Sequence, residues 1–200
     1  MFYFKKKTLI SNYIVADLGL SNSEIDNFRN LFEDENCADL INVATVNEEN
    51  SEHKRKGEII WLTENLVNKT PIRYTIEKIL SVVKEINDNY FEFDLDSCEM
   101  LQLTRYQGDN SDYFDLHTDS ESECFLNCRK LSFIIQLSDL KEYEGGDFYF
   151  INDNLKETNP EYFSKGKLIV FPSYCNHGVC PVSKGVRYSL VGWCRGPKFR

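Results

Sequence analysis

No apolar run in this chain approaches the length of a membrane-spanning helix, which argues against a helical membrane protein. The opening residues, MFYFKKKTLI, carry no apolar stretch of signal-peptide length followed by a small-residue cleavage site, so no secretory leader is expected. Positive charge is in deficit, with 23 Lys and Arg against 32 Asp and Glu and a net charge of −9. Duplex binding and anionic membrane surfaces both demand cations, so neither nucleic acid nor membrane is expected as a partner. There is no internal repeat, low-complexity tract or Pro/Gly linker. The seven cysteines are odd in number and irregularly spaced, in a chain too large to need disulfide staples. Reduced thiols and a cytoplasmic location are the expectation. What is present is core-forming material. Hydrophobic residues make up 42% and aromatics 14% of 200 residues, enough for one folded domain over 1–200 and too much for disorder.

The composition shifts along the chain. Residues 1–97 hold only two of the ten glycines, Gly19 and Gly57. The first part, 1–97, reads as a support region. Residues 23–33 place Ile25, Phe28, Leu31 and Phe32 on one helical stripe, with Asn22 or Ser23 as cap. Residues 38–46 and 58–62 read as strands. Over 71–90, Ile72, Ile76, Ile79, Val83, Ile86 and Tyr90 recur at steps of four and three, predicting a helix capped by Thr70 with Pro71 in its first turn. The glycine-rich part, 98–200, reads as strands near 99–106, 113–117, 131–138, 147–151, 167–171, 178–182 and 187–194, separated by turns such as Gly108-Asp109-Asn110 and Lys165-Gly166-Lys167. Short strands of that number and spacing predict a sandwich or barrel of jelly-roll type.

Histidine is scarce, and two of the three stand in unusual company. In Leu116-His117-Thr118-Asp119, residues two apart in an extended segment point the same way, so the imidazole and the carboxylate can converge. His177 follows 60 positions later, beside a further strand. Two imidazoles and one carboxylate on one face of an octahedron form the ligand set of a non-heme Fe(II) oxygenase. An H-x-D triplet alone also arises by chance. Downstream, Arg187 and Ser189 share a strand face. A guanidinium fork plus a hydroxyl suits a carboxylate, and a surface ion pair is the other reading of Arg187. Gln102, Thr104 and Tyr106 alternate with Leu101, Leu103 and Arg105, so the first three can face a polar pocket. Gln136 falls on the face of its strand opposite Phe133, Ile135 and Leu137, either toward that cavity or as an ordinary lining residue.

The ordered pieces Arg105-Tyr106-x-Gly108, Tyr113-x-x-x-His117-x-Asp119, Arg129-Lys130-Leu131-Ser132, Gln136-Leu137-Ser138, Tyr143-Glu144-Gly145-Gly146-Asp147, Phe171-Pro172-Ser173, His177-Gly178-Val179 and Pro181 through Leu190, followed by Trp193, cover roughly 99–197. Together they resemble the Fe(II)- and 2-oxoglutarate-dependent oxygenases, within them the prolyl-4-hydroxylase-like group. The resemblance implies a mostly β, double-stranded β-helix (jelly-roll, cupin-like) fold with bracing N-terminal helices. It implies iron bound by His117, Asp119 and His177, and 2-oxoglutarate held at its distal carboxylate by Arg187. Ser189 and Tyr106 match cosubstrate-side positions, whereas some relatives carry tyrosine where this chain has Gln136. The implied reaction consumes dioxygen, with ascorbate as accompanying reductant, hydroxylates substrate and releases succinate and carbon dioxide. Because Asp119 is present, the halogenase variant of this fold is not expected. A prolyl or other side chain of a peptide or protein is the leading substrate class. The same chemistry on a small molecule or nucleobase, and a non-catalytic cupin-like module, are the alternatives.

Other features are read as ordinary. Cys124, Cys128, Cys175 and Cys180 lack the tight paired spacing of structural zinc and are taken as thiols. His53 and Lys5-Lys6-Lys7 are taken as solvated, Trp61 and Trp193 as core aromatics, and Tyr113 with the loop 120–128 as neighbours of the substrate.

Overall fold

A computed structural model describes residues 12–44, 54–120, 127–152, 155–159 and 164–198. Lys5 to Lys7, His53, Cys124 and most of the loop 120–128 lie outside the described residues. In chain order the elements are β1 (Ile14–Asp17), α1 (Asn22–Arg29), β2 (Asn42–Val43), β3 (Arg55–Lys56), β4 (Glu58–Trp61), α2 (Glu64–Lys69), α3 (Arg73–Ile86), β5 (Ser97–Cys98), β6 (Gln102–Gln107), β7 (Tyr113–His117), β8 (Asn127–Gln136), β9 (Tyr143–Gly145), β10 (Phe148–Asn152), β11 (Leu155–Glu157), β12 (Lys167–Pro172), β13 (His177–Val179) and β14 (Val182–Pro197). The larger sheet runs β1-β12-β8-β14-β6-β4-β2, with β5 and β9 attached to β14, and the smaller runs β11-β10-β13-β7-β3. The two face each other in the double-stranded β-helix arrangement.

Period-two alternation in the larger sheet builds two cores at once. Leu131, Phe133, Ile135, Leu168, Val170, Leu103 and Leu190 point to one side, where they pack with Ile25 and Phe28 of α1 and Ile79, Val83 and Ile86 of α3. Ile134, Ile169, Phe171 and Tyr106 point to the other and meet Phe148, Phe150 and Val179 of the smaller sheet. The helices therefore brace the back of the larger sheet, and its front forms the sandwich in which the site lies. Among the described residues no helix is long and apolar enough to cross a membrane.

Local chemistry moved several boundaries. Helix α1 begins one residue earlier than expected, because Ser21 and Glu24 form a reciprocal capping box. Of the strand expected over 38–46, residues 45 and 46 lie outside the described residues, and over 38–44 only Asn42–Val43 are strand, as Asp34 caps a run of 3-10 turns through Glu35–Leu40. The helix expected over 71–90 forms as α3 from Arg73 to Ile86, and a separate helix, α2, precedes it. Thr63 caps α2, and Thr70 ends it in an extended conformation, as a residue before proline prefers, with its hydroxyl donating to the Leu66 carbonyl. Thr70 is thus a terminus of α2 and not the cap of α3. At its far end α3 opens into a wide turn over Asn87–Phe91, stopped by left-handed Glu92, and the added residue rotates Tyr90 off the apolar face to 53% exposure. The expected strand 187–194 extends over all of β14, and that at 178–182 begins at His177. Cys37, Cys98, Cys175, Cys180 and Cys194 are free thiols. Cys128 is disulfide-bonded, a departure from the expectation of reduced thiols throughout.

Gly192 marks the tightest packing behind the site. A Cβ there would lie 2.1 Å from Phe133 Cζ and 2.6 Å from Leu101 Cδ2, in the core between β14 and the helices. Gly192→Ala is expected to destabilise the protein by about 1–3 kcal/mol through overpacking. Ser21→Ala, which removes only the α1 cap, should cost about 1 kcal/mol. Chemical denaturation measures both, and a Gly192→Ala protein as stable as wild type would refute this packing.

Candidate active site

Strands β7 and β13 are neighbours in the smaller sheet, and His117 stands directly opposite His177 in their register. The two rings lie 4.2 Å apart between centroids. Beyond β7 the chain bends, and the bend is fixed by the backbone N–H groups of Asp119 and Ser120, which both donate to the Ser173 carbonyl at 2.9 Å. The Asp119 carboxylate is thereby brought 3.6 Å from His117 Nε2 and 3.5 Å from His177 Nε2. One ligand atom from each of the three residues lies within 4.8 Å of the others. Each Nδ1 sits against a backbone carbonyl two residues upstream, Asp115 at 2.8 Å and Cys175 at 3.0 Å. A carbonyl only accepts, so Nδ1 carries the proton and each Nε2 presents its lone pair to the common centre.

The opposite wall comes from β14. Arg187, Ser189, Val191 and Trp193, at alternate positions, all line one cavity together with the three converging residues. Arg187 is 1% exposed and pairs in register with Tyr106 of β6. Its guanidinium carbon lies 5.8 Å from the Tyr106 ring centre. Nη1 points to Ser189 Oγ at 3.5 Å, while Nε and Nη2 are buried without a partner among the described residues. Apolar side chains, chiefly Phe114, Ile134, Phe148 and Val179, complete the wall.

The structure gathers His117, Asp119, His177, Arg187, Ser189 and Tyr106 in one cavity, together with Gln102. Thr104 is buried but does not line it, and it lies 3.4 Å from the Gln102 side chain. Gln136 shares their face and pairs in register with Ser189. It is fully buried with both amide atoms unpartnered, yet it stands outside the lining. Tyr113 opens instead onto a separate hollow with Asp115, Tyr149 and Ile151. Trp193, expected as a core aromatic, is a cavity wall, which the alternation from Arg187 could have shown. Arg55 and Phe114 were missed altogether. Arg55 lies in a charged stretch that reads as a solvated loop, and only pairing of β3 with β7 brings it inward.

Burial holds the His177 imidazole down to about 4, against the opposing pull of the Asp119 carboxylate. Burial also opposes charge on Asp119, but the two neighbouring imidazoles and a hydrogen bond from Ser132 outweigh it and keep its carboxyl below the usual carboxylate range. Near neutral pH the cluster therefore offers a neutral imidazole at His177 and an ionised carboxylate at Asp119, a state ready for a cation. A base whose folded value is depressed costs stability as pH falls, because the unfolded chain takes up a proton that the folded site rejects. The metal-free protein should thus lose stability, on the order of a few kcal/mol, as pH falls from about 6.5 toward 4, and the depressed Asp119 carboxyl should add to the loss as pH falls further. His177 ring resonances followed by NMR should titrate well below the ordinary histidine range; a midpoint near 6.5 would refute the buried neutral ring.

Residues 101–195 match the family model of the 2OG-Fe(II) oxygenase superfamily. A PKHD-type hydroxylase from Synechococcus sp. (strain CC9311) is 34% identical over 82 residues, covering 40% of this chain and 35% of its own. The matched segments span less than half the length of the curated relatives. Among solved structures, a Pseudomonas putida prolyl-4-hydroxylase superposes with a TM-score of 0.71 at 17% identity, covering 94% of both chains. A prolyl hydroxylase from Trichoplax adhaerens, in complex with a hypoxia inducible factor oxygen degradation domain peptide fragment, gives 0.68 at 15% identity, covering 92% of this chain and 84% of that one. Residues 101–195, which carry His117, Asp119, His177 and Arg187, are thus similar to the 2OG-Fe(II) oxygenase superfamily, and the chain has the fold of the prolyl-4-hydroxylases it superposes on.

Proposed function

We propose that this protein is an Fe(II)- and 2-oxoglutarate-dependent hydroxylase acting on a prolyl or other side chain of a peptide or protein. The observation that carries the reading is the presence, in one cavity, of a three-ligand cluster and a buried guanidinium that lacks an acid. The residues fit both groups. His117, Asp119 and His177 would hold iron through two neutral nitrogens and one carboxylate oxygen, leaving room for other ligands. Arg187 would clamp the distal carboxylate of 2-oxoglutarate with its unpartnered Nε and Nη2 as a two-pronged donor. Ser189 would add a hydroxyl to the same carboxylate, and Tyr106 would form the wall beside it. The unpartnered amide of Gln136, in register with Ser189, would support that end of the cosubstrate.

When bound, iron supplies the oxidative chemistry, coupled to conversion of 2-oxoglutarate and dioxygen to succinate and carbon dioxide. The protein's own work is positioning and exclusion of water. Phe114 stacks on His117 with centroids 3.6 Å apart, and Phe171 and Phe148 flank His177 at 4.8 and 5.6 Å, so the imidazoles are fixed by rings as well as by backbone carbonyls. Those rings also make a dry wall around the reacting centre. The peptide substrate class is supported by the Trichoplax neighbour's bound peptide, and hydroxylation by the PKHD-type hydroxylase relatives.

Incubation with Fe(II), 2-oxoglutarate, ascorbate and proline-containing peptides should yield succinate and a peptide heavier by one oxygen. Absence of succinate would favour a non-catalytic binding module, and succinate without an oxidised proline peptide would move the reading to another substrate. His117→Ala, Asp119→Ala and His177→Ala should each lose iron and turnover while keeping the fold, since each removes one of three ligands. Arg187→Ala should keep iron but bind 2-oxoglutarate with a loss of about 2–5 kcal/mol, roughly thirty-fold to several-thousand-fold in affinity. Arg187→Lys should recover part of this, and Ser189→Ala should cost about 1–3 kcal/mol. Titration of 2-oxoglutarate into Fe(II)-loaded protein under nitrogen, followed by the charge-transfer band, measures all three. An unchanged dissociation constant in Arg187→Ala would remove the clamp from this position.

A further inference from the structure

The described residues include seven arginines, and they divide cleanly. Arg29, Arg73, Arg105, Arg129 and Arg195 each hold a carboxylate in an ion pair. Arg187 and Arg55 hold none among the described residues, and these are the two arginines that line the cavity. In a chain with nine more acids than Lys and Arg, a guanidinium without an acid is a position kept open. The proposed clamp on 2-oxoglutarate uses Arg187, and the other carboxylate of that molecule belongs at the metal. Arg55 is left for a second anion.

The setting of Arg55 is built. Strand β3 is the edge of the smaller sheet, and Arg55 pairs in register with Phe114 of β7. The strand is anchored there by Asp115, whose backbone N–H donates to the Lys54 carbonyl and whose carboxylate accepts from the Lys54 N–H. After Gly57 the chain continues as β4, which pairs with β6 of the larger sheet, so Arg55 sits where the chain crosses between sheets. A Cβ at Gly57 would press on the Tyr106 ring at 3.0 Å, which keeps the crossing close to the cavity. The guanidinium carbon lies 4.7 Å over the Phe114 ring, and Phe114 in turn stacks on His117. One nitrogen, Nη2, donates to Gln102 Oε1 at 2.7 Å and so ties the head group to β6. Nε is buried and has no partner among the described residues. The head group is thus held flat, one ring away from the metal-ligand cluster, with donor capacity unspent.

We propose that Arg55 is the substrate anchor, binding a carboxylate that the substrate carries next to the group to be hydroxylated. This rests on the hydroxylase reading above and narrows its substrate class to acidic ones. The carboxylate has two sources, an Asp or Glu flanking the reacting residue in a peptide, or the α-carboxylate of a free amino acid.

The test uses Fe(II)- and 2-oxoglutarate-loaded protein under nitrogen, where binding is read without turnover. The probes are end-blocked, fluorescein-labelled proline pentapeptides, flanked by alanine or with aspartate at each flanking position in turn, read by anisotropy. Free L-proline and L-prolinamide serve as competitors. For a peptide source, at least one aspartate peptide should bind tenfold or more tightly than the alanine parent. For a free amino acid, L-proline should compete at a tenfold lower concentration than L-prolinamide. Arg55→Gln should abolish whichever preference appears, Arg55→Lys should retain part of it, and the 2-oxoglutarate dissociation constant should stay within twofold, which also shows that the variant site is folded. The proposal is overturned if wild type shows neither preference, if Arg55→Gln keeps it, or if Arg55→Gln weakens 2-oxoglutarate instead. Failure of the underlying reading looks different, as wild type would then give no charge-transfer band with 2-oxoglutarate.

Discussion

An unpaired guanidinium inside a β-sandwich is the constraint to which the rest of this structure answers. Arg187 is among the largest fully buried side chains, and neither its Nε nor its Nη2 finds a partner among the described residues. Burying a charge this way costs on the order of several kcal/mol after relaxation. Apart from Arg55, the other described arginines pair with acids, Glu99 alone serving Arg129 and Arg195. The exception is tolerable only because the back of the same strand is so well packed. Tyr188 and Leu190, alternating with Arg187 and Ser189, face the core braced by α1 and α3. One strand thus carries the stabilising face and the functional face, one residue out of phase.

The metal-ligand cluster obeys the same logic from the other sheet. The two imidazoles meet because antiparallel pairing puts His117 opposite His177, not because of their separation in sequence. Their inner nitrogens are free to bind a cation because backbone carbonyls take the outer ones. Asp119 joins only through the bend locked on the Ser173 carbonyl, and Ser173 is itself tied to Ser132 of β8 by a 2.9 Å hydrogen bond. The chain from β8 through Ser173 to Asp119 couples the larger sheet to the ligand set. The cavity is accordingly held by both sheets, with cations on two sides and apolar rings between them. That is the electrostatic pattern expected of a site that takes anionic partners beside a cation.

Much of this was legible from residue patterns. The number and spacing of short strands announced the sandwich, and alternation over 131–138 assigned Phe133, Ile135 and Leu137 to one face, because a strand's side-chain period is fixed by its backbone. The H-x-D triplet, His177 and the R-x-S pair stood out because few side chains combine metal-ligand and carboxylate-binding chemistry at those spacings. What escaped was governed by competition between local signals. Residues 38–46 have strand-like composition, but Asp34 and its turns cap the chain first. The apolar stripe over 71–90 forms α3, but Thr70 closes the preceding helix and does not cap it, and a wide turn after Ile86 displaces Tyr90.

The residues by themselves determined the sheet periodicity, the amphipathic helix face of Ile72, Ile79, Val83 and Ile86, and the identities of the groups able to bind metal and carboxylate. These are properties of neighbours along the chain. Tertiary structure alone decided that Arg55, embedded in a charged stretch, lies within one ring of His117, that Trp193 walls the cavity, and that Gln136 stands behind it and Tyr113 outside. Each of those depends on which strand pairs with which and in what register, and pairing is settled by burial and hydrogen bonding between segments far apart in sequence, which no local pattern encodes.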